Sequence, residues 1–212
     1  MFSKENLLLY FVCGTQDMKD GRRLDEVLEK ALKAGITMFQ FREKGEGSLA
    51  GQAKVDLALS LKQLCQSYGV PFIVNDDVEL AQEINADGVH VGQSDMQVET
   101  FAKAFKDKII GLSVGNFEEY TQSDLTNIDY IGVGPMFSTQ SKSDAEAPVG
   151  PVMISNLRQY VPDLPMVAIG GITVDNAPSV IEGGADGLAV ISAIAQSNNI
   201  NETVNSFLQI QK

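Results

Sequence analysis

The stretch from Phe72 to Met96, FIVNDDVELAQEINADGVHVGQSDM, decides the fold. It holds two short apolar runs, Phe72-Ile73-Val74 and Gly88-Val89-His90-Val91. The first gives way to Asn75-Asp76-Asp77 and the second to Gln93-Ser94-Asp95. One helix-length segment, 78–85, lies between them. Strand, helix, strand predicts two parallel neighbours, about 5 Å apart and pointing the same way. Carboxylates just past their C-terminal ends then meet at one mouth. Asp76 and Asp95 are therefore candidate ligands of one hard cation, because carboxylates together with substrate phosphates are the usual way proteins hold Mg²⁺. Asp after a strand is also a common helix N-cap, and Asp77 reads as one.

The same rhythm continues in both directions. Apolar runs predict strands at 7–13, 36–41, 109–113, 129–133, 165–169 and 187–190. Helical spacing falls at 22–33, 48–68 (Ser48 as its cap), 98–105, 117–123, 152–160, 175–182 and 201–210. The strands are continuous apolar runs, as a sheet covered on both faces requires. Eight strand–helix units in one chain predict an α/β fold, a single (β/α)8 TIM barrel over 1–212. An open doubly wound sheet would carry a G-x-G-x-x-G turn after its first strand, and Cys13-Gly14-Thr15 is not that.

Composition narrows the partners. The 212 residues carry a net charge of −12, which excludes a broad basic face for nucleic acid or anionic membrane. Any anion site must be a local cluster of Lys and Arg. Cys13 and Cys65 have neither metal-ligand spacing nor a disulfide framework, so a cytoplasmic setting is expected. The run 7–13 is too short to span a bilayer and lacks a cleavage site for a signal peptide. The sequence leaves a homo-oligomer open.

In such a barrel, function sits on the loops after the strands. Arg42 and Lys44 follow strand two, Asn75 and Asp76 follow strand three, and Asp95 follows strand four. Ser113 ends strand five, and the long loop after strand six holds Thr139, Gln140, Ser141 and Lys142. Two cations, a divalent metal and the Ser113 hydroxyl suit a pyrophosphate, with Lys142 able to fold over them from the long loop. Gly170-Gly171 after strand seven and Ile191-Ser192 after strand eight suit a monophosphate at a helix opening, or are tight turns that need glycine. No Cys or His stands as a nucleophile or base, and His90 reads as a hydrogen-bonded barrel-lining residue. Two anion sites without a nucleophile point to joining two phosphorylated molecules with loss of pyrophosphate.

Five motifs, in order, resemble the thiamine-phosphate synthase family: Gln40-Phe41-Arg42-Glu43-Lys44, Val74-Asn75-Asp76, the run 88–95, the run 132–142 and the run 167–173. The resemblance implies that a hydroxymethylpyrimidine diphosphate is joined to a thiazole phosphate, giving thiamine phosphate and pyrophosphate. It implies that Gln40, Phe41, Arg42, Glu43, Lys44, Asn75, Ser113 and Lys142 bind the pyrimidine diphosphate. Arg42, Lys44, Lys142 and Ser113 would act in catalysis, and Asp76 and Asp95 would bind Mg²⁺. Thr139, Gln140, Ser141, Gly171, Ile191 and Ser192 would bind the thiazole phosphate. One departure stands out: the family often has His two residues after the strand-five serine, where this chain has Gly115. The rival readings are a thiazole tautomerase, which should lack the aspartate pair, a sugar-phosphate epimerase or isomerase, and a phosphate-ligand sensor on the same fold.

Overall fold

The structure, a computed structural model, describes residues 2–93, 98–139, 141 and 147–211, and at 99 the backbone only. Eight strands form a closed, all-parallel barrel in sequential order. They are β1 (Leu9–Cys13), β2 (Met38–Phe41), β3 (Phe72–Asn75), β4 (Gly88–Val91), β5 (Ile109–Val114), β6 (Tyr130–Val133), β7 (Met166–Ile169) and β8 (Gly187–Val190). The helices among the described residues are α1 (Leu24–Ala34), α2 (Gly51–Ser67), α3 (Val78–Glu83), α4 (Val98–Phe101), α5 (Phe117–Gln122), α6 (Pro151–Arg158), α7 (Ala177–Glu182), α8 (Ser192–Ala195) and α9 (Ile200–Ile210). The predicted TIM barrel is therefore present. No described helix is long and apolar enough to cross a membrane.

Period-2 alternation divides the strand side chains between two cores. Phe11, Phe39, Phe41, Phe72 and Val74 face outward into a layer shared with the helices. Tyr10, Val12, Met38, Ile73, Tyr130 and Val167 fill the lumen. Helix α1 shows why the outer layer closes. Leu24, Val27, Leu28, Ala31 and Leu32 recur at helical spacing, and all are buried. Gly35 stops this helix in the left-handed region, at φ 107°.

The helix boundaries depart from the sequence reading in two instructive places. Ser48 does not cap α2. Its hydroxyl donates to the Gly45 carbonyl at 2.7 Å, and the helix begins at Gly51. A serine in a turn has this local alternative. Nor do Gly170 and Gly171 open a helix. They lie in a loop that runs to α7, which starts only at Ala177.

The N-terminal ends of the strands share one device. The residue just before each even-numbered strand accepts the N–H of a residue at the start of the preceding strand. Thr37 Oγ1 takes Leu9 N at 2.9 Å, and Asp87 takes Phe72 N at 2.8 Å. Asp129 takes Ile110 N at 2.8 Å, and Asp186 takes Met166 N at 2.9 Å. Arg158 holds Asp186 in turn and also donates to the Leu164 carbonyl at 2.6 Å. Removing one acceptor leaves a buried N–H unpaired, at about 1–3 kcal/mol. Asp87→Ala should therefore lower Tm by roughly 3–10 °C for a chain of this size. Because the device sits on the face opposite the active mouth, kcat of the folded variant should be unchanged. Calorimetry beside steady-state kinetics checks both halves.

Candidate active site

A cleft of ≈ 350 Å³ opens at the C-terminal ends of the strands. Its lining draws on the loops after β2 to β8. Arg42 and Lys44 come from β2, Asn75 and Asp76 from β3, Gly92 and Gln93 from β4, and Ser113 and Gly115 from β5. Thr139 and Ser141 come from β6, Gly170 and Gly171 from β7, and Ile191 and Ser192 from β8. Arg42, Lys44, Asn75, Asp76, Ser113, Thr139, Ser141, Gly171, Ile191 and Ser192 are thus brought together. Asp95, Gln140 and Lys142 lie outside the described residues.

Three of the implied binding residues are placed elsewhere, for physical reasons. Phe41 points outward by strand alternation and stacks on Phe72, with ring centroids 6.1 Å apart. Glu43 is buried as a clamp between loops. Its carboxylate accepts Thr15 N at 2.8 Å and Leu49 N at 2.6 Å, and it also takes the Thr15 hydroxyl. Gln40 points into the lumen, 3 % exposed, and its amide donates to the Tyr10 hydroxyl at 2.7 Å. It lies off the cleft lining.

Charge at the mouth is arranged around Asp76. This residue adopts φ +60°, a left-handed conformation that costs a side-chain-bearing residue about 1–3 kcal/mol. Its N–H is tied to the His90 carbonyl at 2.8 Å, so the strained turn is pinned to β4. The carboxylate accepts Lys44 Nζ at 2.7 Å. Lys44 is 48 % exposed, and such pairs are worth about 0–1 kcal/mol. The neighbouring Asp77 is the N-cap expected of it, accepting Leu80 N at 3.0 Å, and it holds Lys54 at 2.7 Å. The two adjacent aspartates thus have separate roles.

Arg42 is a buried cation, 6 % exposed. Its N–H donates to the Cys13 carbonyl at 3.0 Å, and its own carbonyl accepts Gln16 Nε2 at 2.6 Å. Burial raises the Asp17 carboxyl, and the Gly14 N–H and the nearby Arg42 charge oppose that rise. The two cysteines are inert by environment. Burial pushes the Cys65 thiol up to about 12 and holds the Cys13 thiol well above its ordinary value.

Opposite this charged side, the loops after β6 and β7 are zipped together. Met136 N donates to Ile169 O at 2.8 Å, and Phe137 N to Gly170 O at 2.9 Å. Gly170 and Gly171 have φ of 100° and 64°, and a Cβ on either would come within 2.5 Å of the 135–138 loop. The turn therefore needs glycine, and the same glycines line the cleft. Glu119 also lines it and was not singled out from the sequence. Its carboxylate accepts Gly115 N at 2.7 Å while Asn116 accepts Glu119 N at 2.9 Å. The pattern Asn116-x-x-Glu119 is a capping-box signal that the sequence does carry.

A (β/α)8 barrel with a buried arginine, a lysine and an aspartate facing a glycine-lined loop pair is a phosphate-handling enzyme barrel. Residues 9–194 match the family model for thiamine monophosphate synthase. The chain is 61% identical over 209 residues to the thiamine-phosphate synthase of Staphylococcus epidermidis, covering 99% of both chains. It is 62% identical over 204 residues to that of Staphylococcus haemolyticus, covering 96% of both. A solved thiamine phosphate pyrophosphorylase from Pyrococcus furiosus superposes with a TM-score of 0.84 at 31% identity, covering 98% of this chain and 96% of that one. The chain belongs to the thiamine monophosphate synthase family.

Proposed function

We propose that this single-domain barrel condenses 4-amino-2-methyl-5-(diphosphomethyl)pyrimidine with a thiazole phosphate, forming thiamine phosphate and releasing pyrophosphate. Family membership supports the reaction. The observation that carries the site is one cleft that unites Arg42, Lys44, Asn75, Asp76 and Ser113 with Thr139, Ser141, Gly171, Ile191 and Ser192.

The chemistry runs as follows. The pyrimidine amino group donates electrons toward the methylene carbon, the C–O bond ionises, and pyrophosphate leaves with the electron pair. The thiazole nitrogen then forms the new C–N bond. Arg42 and Lys44, with Lys142 from the loop after β6, stabilise the charge that develops on the leaving oxygens. Thr139, Ser141, Gly171 and Ser192 seat the phosphate of the incoming thiazole. Holding the two partners in one cleft removes much of the entropic barrier, and no general base is needed.

Mg²⁺ fits the donor set. Asp76 presents hard oxygen at the mouth, and Asp95 is its expected partner, so the protein offers two carboxylates. Such a site needs substrate oxygens to complete it, which suits Mg²⁺. When bound, the ion supplies charge neutralisation of the diphosphate. Two buried, unpaired cysteines suit a cytoplasmic setting, and the net charge of −12 suits small-molecule substrates over nucleic acid.

Incubating the purified chain with both substrates tests the reading. One pyrophosphate is expected per thiamine phosphate formed. Turnover of the thiazole phosphate alone, without pyrophosphate, would support the tautomerase reading instead.

A further inference from the structure

A line of hydrogen bonds runs through the lumen beneath the cleft. Gln40 Nε2 donates to the Tyr10 hydroxyl at 2.7 Å, and the Tyr10 and Tyr130 hydroxyls are 2.9 Å apart. The Tyr130 hydroxyl is 3.0 Å from His90 Nδ1, and His90 Nε2 is 2.9 Å from Ser113 Oγ. Ser113 lines the cleft. The five side chains come from β2, β1, β6, β4 and β5, so only barrel closure brings them together.

The sequence makes room for this line at one glycine. In the barrel register His90 pairs with Gly111, and Gly111 pairs with Tyr130. A Cβ on Gly111 would lie 2.3 Å from the Tyr130 ring and 2.4 Å from His90 Nδ1. Glycine weakens a strand, and its use here marks a close approach. Phe2 closes the line from below, stacked on Tyr130 with centroids 5.7 Å apart.

Proton counting gives the line a direction. A phenol has one proton to donate. Tyr10 receives the Gln40 N–H, and among the described residues the Tyr130 oxygen is the acceptor within reach of the buried Tyr10 proton, so that proton goes to Tyr130. Tyr130 then has its proton for His90 Nδ1. That makes Nδ1 the acceptor and leaves the proton of the neutral ring on Nε2, which donates to Ser113 Oγ. The Ser113 proton is thereby turned away from the ring, toward the cleft. Burial holds both phenols above their ordinary pKa, so both stay protonated and the direction persists.

We infer that Tyr10 and Tyr130 are positioning residues that act through His90 to aim the Ser113 hydroxyl as a hydrogen-bond donor at the bound pyrimidine. The consequence for catalysis rests on the proposed reaction. The direction of the line does not. Without the line the hydroxyl has three staggered orientations in place of one, a loss of about threefold in kcat/KM.

His90 is the only histidine in the chain, so a long-range ¹H–¹⁵N spectrum of the resting protein reads its tautomer without assignment. The expected spectrum shows the proton on Nε2 and Nδ1 bare. A proton on Nδ1 alone, or on both nitrogens, overturns the inference whatever the activity. In Tyr10→Phe, which leaves His90's own contacts in place, the two tautomers should mix; an unchanged spectrum says nothing is transmitted and also overturns it. In kinetics, Tyr130→Phe should lower kcat/KM at least about threefold, and the same change in a Ser113→Ala background should do nothing further. Additive losses would assign Tyr130 a merely structural role.

Discussion

Asp76→Ala should lose about 10²-fold or more of kcat while still folding, and Asp76→Gly should lose as much while being at least as stable as the parent. The first effect follows from the carboxylate's place at the mouth, beside Lys44 and Arg42 in the cleft lining. Losing a ligand of the ion that neutralises the leaving diphosphate is expected to cost on the scale of one charge-stabilising donor, about 10²–10³-fold. The second effect follows from φ +60°. Glycine adopts that region without penalty, so the substitution relieves about 1 kcal/mol or more of strain. It also loosens the unfolded chain by about 0.4–1 kcal/mol, which offsets part of the gain. Tm of the glycine variant should equal or exceed that of the parent and should exceed that of the alanine variant. Chemical denaturation beside kcat measures both. An Asp76→Ala variant that turns over within about threefold of the parent would remove Asp76 from the mechanism.

Arg42→Ala should cost a comparable factor, about 10²–10³ in kcat, for a different reason. Arg42 is 6 % exposed, so its charge acts across a protein-lined cleft where screening by water is weak. Lys44, at 48 % exposure, acts through solvent and should cost less when removed. Arg42→Lys should recover only part of the loss, because a point charge does not reproduce a guanidinium's paired contacts with phosphate. Single-turnover rates at saturating substrate separate this from weaker binding. Equal losses for Arg42→Ala and Lys44→Ala would contradict the burial argument. Lys142→Ala is expected to fall in the same range, about 10²-fold.

What the sequence disclosed was the alternation. Eight apolar runs separated by helix-length segments give the barrel, and the barrel places Arg42, Asp76 and Ser113 at one end. Asp77 as a cap was readable because capping depends on three neighbouring residues. Ser48 misled because a nearby carbonyl, Gly45, competes for the same hydroxyl. The clamp made by Glu43 depends on longer-range contacts. Its partners, Thr15 and Leu49, lie on two other loops, and nothing local announces them. The lumen line from Gln40 to Ser113 was invisible for the same cause, since it depends on a register set by five strands. Gly111 inside a strand was its one local trace.

The central claim is that Asp76 helps hold a divalent ion against a departing diphosphate. Pyrophosphate release from the two substrates, followed while Mg²⁺ is removed with EDTA and then restored, tests it most directly. Release should fall about 10²-fold or more in EDTA and return with excess Mg²⁺, and Asp76→Ala should need a higher Mg²⁺ concentration for its residual rate. Full-rate release in EDTA, or an Asp76→Ala variant with the parent's Mg²⁺ requirement, would contradict the account.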